Sequence, residues 1–174
     1  MAKIDYKNKF TKWATQLGLC IVAGIGPVSA DPLKQMSPDE LGCLVTNGYF
    51  EARSDGYASV MGVTNVVLNR VADSRYPDTI CGVIHQGPTD RKGNPLRHQC
   101  QFSWYCDGKS DKMKNHDLET KVLIAVYETL SLWYQGIDIT EGATHYHADY
   151  VNPGWARKLR YTTRIGTHKY YKWD

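Results

Sequence analysis

Glu51 stands where a carboxylate has a reason to keep its proton. It lies seven residues after Leu44 and three after Gly48, so a helix through Asn47-Gly48-Tyr49-Phe50-Glu51 carries it on an inward apolar stripe. Partial burial on that stripe disfavours the charged form and raises the pKa. The last turn of a helix, at the negative end of its dipole, opposes ionisation as well. A carboxylic acid held neutral in this way can protonate a leaving oxygen, the step on which glycosidic cleavage depends. Periodicity by itself equally allows an ordinary surface glutamate paired with Arg53 or Arg70.

The elements that must position this acid can be read from caps and periods. Ser37-Pro38-Asp39-Glu40 opens a helix: Ser37 accepts from free N–H groups, Pro38 suits the first helical position and Glu40 completes a capping box. Leu41, Leu44, Val45 and Gly48 then share one face. Ser54-Asp55-Gly56 breaks this helix and caps the next, whose Val60, Val63, Thr64, Val67, Leu68 and Val71 form a stripe wide enough to be buried. Tyr76-Pro77 ends it, because proline disfavours helix at the residue before it. Residues 80–84 read as a short helical turn or strand, 87–97 as an exposed loop, and 101–104 as the start of a short strand or hairpin. A third long helix is expected from about residue 117 to 134, closed by Gly136. Residues 143–150 alternate as a strand, Asn152-Pro153-Gly154-Trp155 is a turn, and 161–171 suit a closing hairpin around Gly166. The expected class is α+β, a mainly helical domain with a small antiparallel β portion.

The chain has 174 residues, enough for one domain with a hydrophobic core and too few for two of ordinary size. Its 42% hydrophobic and 22% charged content excludes disordered and fibrous classes. Twelve Tyr and 5 Trp against 3 Phe favour a surface that is wet yet offers flat apolar faces, as a sugar polymer or a protein interface requires. A net charge of +3, with local concentrations only at Lys112, Lys114, Arg157, Lys158 and Arg160, argues against nucleic acid as a partner.

Near the start, Lys3, Lys7, Lys9 and Lys12 precede an uncharged apolar run over 14–28 that closes on Val28-Ser29-Ala30 and Asp31-Pro32. That is the three-part pattern of a secretory signal, although Asp5 is atypical of it. The run is about 15 residues, short of the ~20 that span a bilayer. Residues 1–30 are therefore expected to be a signal peptide or N-terminal anchor and 31–174 the functional domain. Membrane contact is expected only through an uncleaved anchor. Removing Cys20 with the signal leaves Cys43, Cys81, Cys100 and Cys106, which permit two disulfides in any of three connectivities. A zinc site at His98, Cys100 and Cys106 lacks the paired spacing of structural zinc.

Five blocks in order carry a resemblance. Asn47-Gly48-Tyr49-Phe50-Glu51-Ala52-Arg53, Gly62 through Val71, Tyr76 through Ile84, Cys100-Gln101-Phe102-Ser103, and Ala143 through Ala148 with Val151 through Arg157 resemble the SleB-type cell wall hydrolase family across roughly residues 40–168. The resemblance implies a lysozyme-like fold, a peptidoglycan glycan-strand substrate and Glu51 as catalytic acid. It implies cleavage between N-acetylmuramic acid and N-acetylglucosamine. A lytic transglycosylase leaving 1,6-anhydromuramic ends is favoured, because no second carboxylate with a clear role is visible. The alternatives are a lysozyme-type muramidase using water, or a cell-wall-binding or virion structural module without turnover. The family motif continues with a glutamate where this chain has Ser54-Asp55, so Asp55 receives no catalytic role.

The remaining blocks are expected to line a groove. Gln101 and Ser103 suit N-acetyl and hydroxyl groups, with Phe102 turned opposite. Tyr146 is a substrate or supporting hydroxyl, and Tyr76 and Trp155 either stack on sugars or pack beneath a loop. His145, His147 and Asp149 share one strand face, as metal ligands would, but the partner block of a zinc amidase is absent. No metal and no cofactor is expected. The implied location is exported, periplasmic or extracellular.

Overall fold

The computed structural model describes residues 36–174. The signal expected over 1–30, with Cys20, and residues 31–35 lie outside the described residues. Helix α1 runs Pro38–Ala52, and Ser37 caps it by accepting from the Glu40 N–H at 3.2 Å. Glu40 in turn accepts from the Ile80 N–H at 3.1 Å, tying the start of α1 to the short helix α3, Ile80–Ile84. A disulfide between Cys43 and Cys81 fastens the same two elements covalently. Residues 80–84 thus take the helical alternative, with Thr79 capping Gly82 at 3.1 Å.

Helix α2, Tyr57–Ala72, follows after Gly56 at φ 90°, a left-handed turn that a side chain would strain. Every residue from Ser59 to Leu68 is buried, so α2 is the central strut, covered by α1 and α4 on one side and a sheet on the other. Close approach is built in at two glycines. A Cβ on Gly48 would stand 3.0 Å from Val60 and 3.1 Å from Val122, and one on Gly62 would stand 2.8 Å from the Cζ of Tyr170. Helix α4, His116–Tyr134, is capped by Asn115 and buries Val122, Ala125, Val126, Thr129 and Leu130.

The strand or hairpin expected over 101–104 is corrected: Ser103–Cys106 is a 3₁₀ turn. The Cys100–Cys106 disulfide joins residues only six apart, and a closure that short curls the chain where alternation alone suggested extension. Three antiparallel strands complete the fold: β1 (His145–Ala148), β2 (Arg160–Ile165) and β3 (His168–Lys172), in the order β1-β3-β2. The turn expected at 152–155 leads into a 3₁₀ segment, Gly154–Lys158.

Register decides which side chains face the helices. Tyr146 is opposite Tyr170, and His145 is opposite Tyr171. Tyr170 is fully buried and reaches Gly62 of α2, so Tyr146 faces α2 as well. The outer face then carries His145, His147 and Tyr171. A helical core around Val63, Val67, Ile80, Val83, Ile84, Ala125 and Val126 and a smaller cluster of Val66, Ala143 and Tyr170 meet at Tyr146, which packs against both. The fold is α+β, mainly helical with one small antiparallel sheet.

Candidate active site

Three segments far apart in sequence meet at the seam between helices and sheet. Glu51, in the last turn of α1, is partly buried, and its Oε2 accepts a hydrogen bond of 2.8 Å from the Tyr146 hydroxyl on β1. Burial raises the Glu51 pKa, while the Tyr146 hydrogen bond and the charge of Arg70 pull the other way; the net shift is upward. Tyr146 is pushed well above the ordinary phenol range, first by burial and then by Glu51, so its hydroxyl remains a donor.

Arg70, in the last turn of α2, is buried. Its Nε donates to the Thr144 carbonyl at 2.8 Å, just before β1, and its guanidinium lies 5.4 Å from the ring centres of both Tyr76 and Phe102. Arg53 turns away, donating to the Tyr49 carbonyl at 3.3 Å and lying over the Tyr49 ring at 4.4 Å. Glu51 therefore forms no salt bridge with Arg53 or Arg70, and the surface-pair alternative does not describe it.

The other expected site residues divide. Gln101 and Ser103 are exposed on either side of Phe102, which is only 2% accessible and anchors their loop beside Arg70. The 3₁₀ turn keeps them outward although no strand forms. Trp104 fixes the same loop from below, its indole donating to Asn47 of α1 at 2.9 Å. Tyr76 is half-buried against the helical core, with a hydroxyl that finds no protein partner, and it packs beside Arg70 rather than presenting an open face.

Trp155 is not brought to Glu51. It sits on the outer face of the sheet, 5.3 Å from the His145 ring, 5.6 Å from His147 and 5.5 Å from Tyr171. The histidines of that face are engaged individually. His147 Nε2 lies 3.0 Å from the Tyr171 hydroxyl, and His145 Nδ1 lies 3.0 Å from Thr144 Oγ1. Burial, then Arg70 and Arg75, push the His145 pKa down to about 4. Asp149 pairs with Arg164. Among the described residues no three His, Cys, Asp or Glu side chains gather as metal ligands.

Three carboxylates that a water-using hydrolase could enlist have other neighbours. Asp55 faces His168 Nδ1 at 3.7 Å, Asp107 accepts from the Lys109 N–H at 2.7 Å, and Asp149 pairs with Arg164. Behind Tyr146 lie His168, 5.1 Å away edge-on, and Tyr170, at 5.8 Å. Sequence reading did not single these two out, nor Arg70 for a role of its own. A signal for Arg70 existed: it falls seven after Val63 and three after Val67, on the apolar stripe of α2.

The sequence model of a family described as Cell Wall Hydrolase matches residues 54–171. The chain belongs to that family. Arg70 and Tyr146 lie inside the matched stretch, and Glu51 three residues before it. The chain is 30% identical over 121 residues to the spore cortex-lytic enzyme of Halalkalibacterium halodurans, across 69% of this chain and 31% of that protein. It thus spans about a third of the relative's length. Among solved structures, the catalytic domain of the germination-specific lytic transglycosylase SleB from Bacillus anthracis aligns at a TM-score of 0.57 with 25% identity, covering 79% of this chain and 97% of that one. The catalytic domain of the Bacillus cereus SleB protein aligns at 0.60 with 24% identity, over 86% of this chain and all of that one, and shares the fold.

Proposed function

We propose that residues 31–174 form the catalytic domain of an exported peptidoglycan lytic transglycosylase that cleaves between N-acetylmuramic acid and N-acetylglucosamine. The observation that carries this reading is Glu51: a half-buried carboxyl at a helix C-terminus, raised in pKa by burial and held by the Tyr146 hydroxyl at 2.8 Å. Family membership supports the wall as substrate. The Bacillus anthracis neighbour is a lytic transglycosylase, which supports the reaction class.

In this mechanism Glu51 protonates the glycosidic oxygen as the bond to the muramoyl anomeric carbon breaks, leaving Glu51 as carboxylate with Tyr146 donating to it. The carboxylate then removes the proton of the muramoyl C6 hydroxyl as that oxygen bonds to the anomeric carbon. This closes the 1,6-anhydro ring and restores the acid. No water and no second carboxylate takes part; Asp107 accepts from the Lys109 N–H and Asp149 pairs with Arg164. Gln101 and Ser103 contact N-acetyl and hydroxyl groups of the strand. The lysine-rich start, the apolar run and the two disulfides support export.

Zymography on purified peptidoglycan tests the reading. Clearing that Glu51→Gln abolishes is expected, whereas a Glu51→Gln protein that still clears would overturn it. Mass spectra of the released muropeptides decide the reaction. Anhydro ends are expected, and reducible muramic acid ends mean hydrolysis by water instead.

A further inference from the structure

Arg70 is a buried cation that no anion pairs among the described residues. It is only 5% accessible, and its Nη1 finds no hydrogen-bond partner among those residues. Its Nε donates to a neutral carbonyl, that of Thr144. Aromatic faces at 5.4 Å, Tyr76 and Phe102, supply the rest of its surroundings. Proteins seldom bury a guanidinium in this way, because the desolvation of an ion is normally offset by an opposite charge. The α2 stripe around it is valine and leucine, so a methionine or leucine at this position would pack without that penalty.

What singles the position out is where the cation lies. The Thr144 carbonyl it grips is two residues before Tyr146, whose hydroxyl holds Glu51. From this geometry we infer that Arg70 serves the Glu51–Tyr146 pair through its charge, as a fixed positive group whose anion exists only after Glu51 has given up its proton. In the mechanism proposed above Glu51 starts protonated, with Arg70 unpaired. In the transition state a carboxylate forms and Arg70 lowers its energy. An interaction present only in the transition state accelerates the step, whereas one present throughout would not. The inference rests on Glu51 being the acid.

The groups that face the pair are few. Tyr146 from β1 hydrogen-bonds Glu51, Arg70 from α2 acts on it through its charge, and Arg53 on α1 itself turns away over Tyr49. His168 and Tyr170 from β3 back Tyr146, with Asp55 behind His168. Tyr76 and His145 share the neighbourhood of Arg70. Of these, Arg70 is the cation whose influence on Glu51 lowers its pKa. Removing the charge while keeping the bulk must therefore let Glu51 hold its proton to higher pH and lose it less readily in the reaction.

The experiment compares the full chain with Arg70→Met, Arg70→Lys and Glu51→Gln, reading peptidoglycan clearing across pH and the carboxyl ¹³C titration of Glu51, identified by its loss in Glu51→Gln. Arg70→Met is expected to reduce kcat about tenfold or more. Its alkaline limb and the Glu51 titration midpoint should both move to higher pH. Arg70→Lys, which keeps the charge, is expected to hold the wild-type midpoint and most of the rate. A folded Arg70→Met with an unmoved Glu51 midpoint would overturn the inference. So would Arg70→Lys losing turnover while its midpoint stays put, since that outcome assigns the role to the Thr144 hydrogen bond. Where circular dichroism shows Arg70→Met unfolded, the lysine variant decides alone by the same two readouts. Clearing by Glu51→Gln would instead remove the underlying reading, and the titration would still report whether Arg70 acts on Glu51.

Discussion

Tyr146→Phe deletes one oxygen and leaves the ring in place. The hydroxyl lost is the one that donates to Glu51 at 2.8 Å, while the contacts of the ring with His168 and Tyr170 remain. Before proton transfer Glu51 is a neutral acceptor, and such a hydrogen bond contributes about 1 kcal/mol. After transfer the same oxygen belongs to a carboxylate, and a bond to a charged group contributes about 2 kcal/mol. The difference, about 1 kcal/mol, is the share realised only as the acid ionises. It corresponds to a loss of roughly fivefold in kcat with KM little changed. The hydroxyl also lowers the Glu51 pKa, so its removal should move the alkaline limb of the clearing rate to higher pH. The assay is initial clearing of purified sacculi across pH, with thermal melts to confirm folding. An unchanged rate and limb would refute the reasoning, because the hydroxyl would then lie off the proton path. A folded protein as inactive as Glu51→Gln would refute it from the other side, by making Tyr146 a participant in the chemistry.

Glu51→Gln is expected to be inactive yet more stable than the parent at alkaline pH. The folded pKa of Glu51 is raised, so the stability it contributes is full below its unfolded pKa and lost as pH rises through the folded one. Glutamine has no such loss, and the gap in Tm between the two proteins should widen with pH; a constant gap would contradict the raised pKa. Tyr170→Phe removes a buried hydroxyl that has no partner among the described residues, and urea unfolding should show it neutral or up to about 1 kcal/mol stabilised. A loss beyond about 1 kcal/mol would mean that the hydroxyl is satisfied. Breaking Cys43–Cys81, which closes 38 residues, should cost roughly 4 kcal/mol by loop entropy, and breaking Cys100–Cys106, which closes six, roughly 2. Denaturant titrations of the paired serine variants check the order, and equal losses would refute it.

Local chemistry made much of this fold legible. Ser37 and Pro38 mark the start of α1, the valine stripe of α2 announces a buried helix, and Gly166, at φ 57°, turns the closing hairpin. The strand alternation expected over 143–150 holds for 145–148, but a strand period cannot say which face meets the core. Facing is what separates Tyr146 from Trp155. The two are near in sequence, yet β3 pairing turns Tyr146 toward α2 and leaves Trp155 over His145 and His147. Residues 101–104 misled for a covalent reason, since the pairing of Cys100 with Cys106 was one of three connectivities and only that one curls the loop. Arg70 was hidden by an ordinary explanation: a basic residue in the last turn of a helix complements its dipole. Its burial is a tertiary fact, produced by β1 and the Phe102 loop folding over it.

The same region concentrates the structure's unsatisfied polarity. Arg70 Nη1, Tyr76 Oη, His168 Nδ1 and Tyr170 Oη are four of the seven buried side-chain atoms without a hydrogen-bond partner among the described residues. All four belong to side chains around Glu51 and Tyr146. His168 does face Asp55, but at 3.7 Å the pair is beyond hydrogen-bond reach. Buried polar atoms are nearly always paired, with protein or with ordered water, and a cluster without protein partners at one seam calls for a cause. An acid that must be neutral at rest and charged in passing supplies one: groups that satisfied Arg70 at rest, a fixed carboxylate above all, would also stabilise the resting state and cancel its preference for the transition state. The scaffold tolerates the seam because α2 is buried along its length and the Cys43–Cys81 bridge fastens α1 to α3 away from it. Substitutions that pair these four atoms should therefore raise Tm and lower kcat together, whereas stabilising changes on the exposed face of α4, at Leu123 or Ile124, should raise Tm alone.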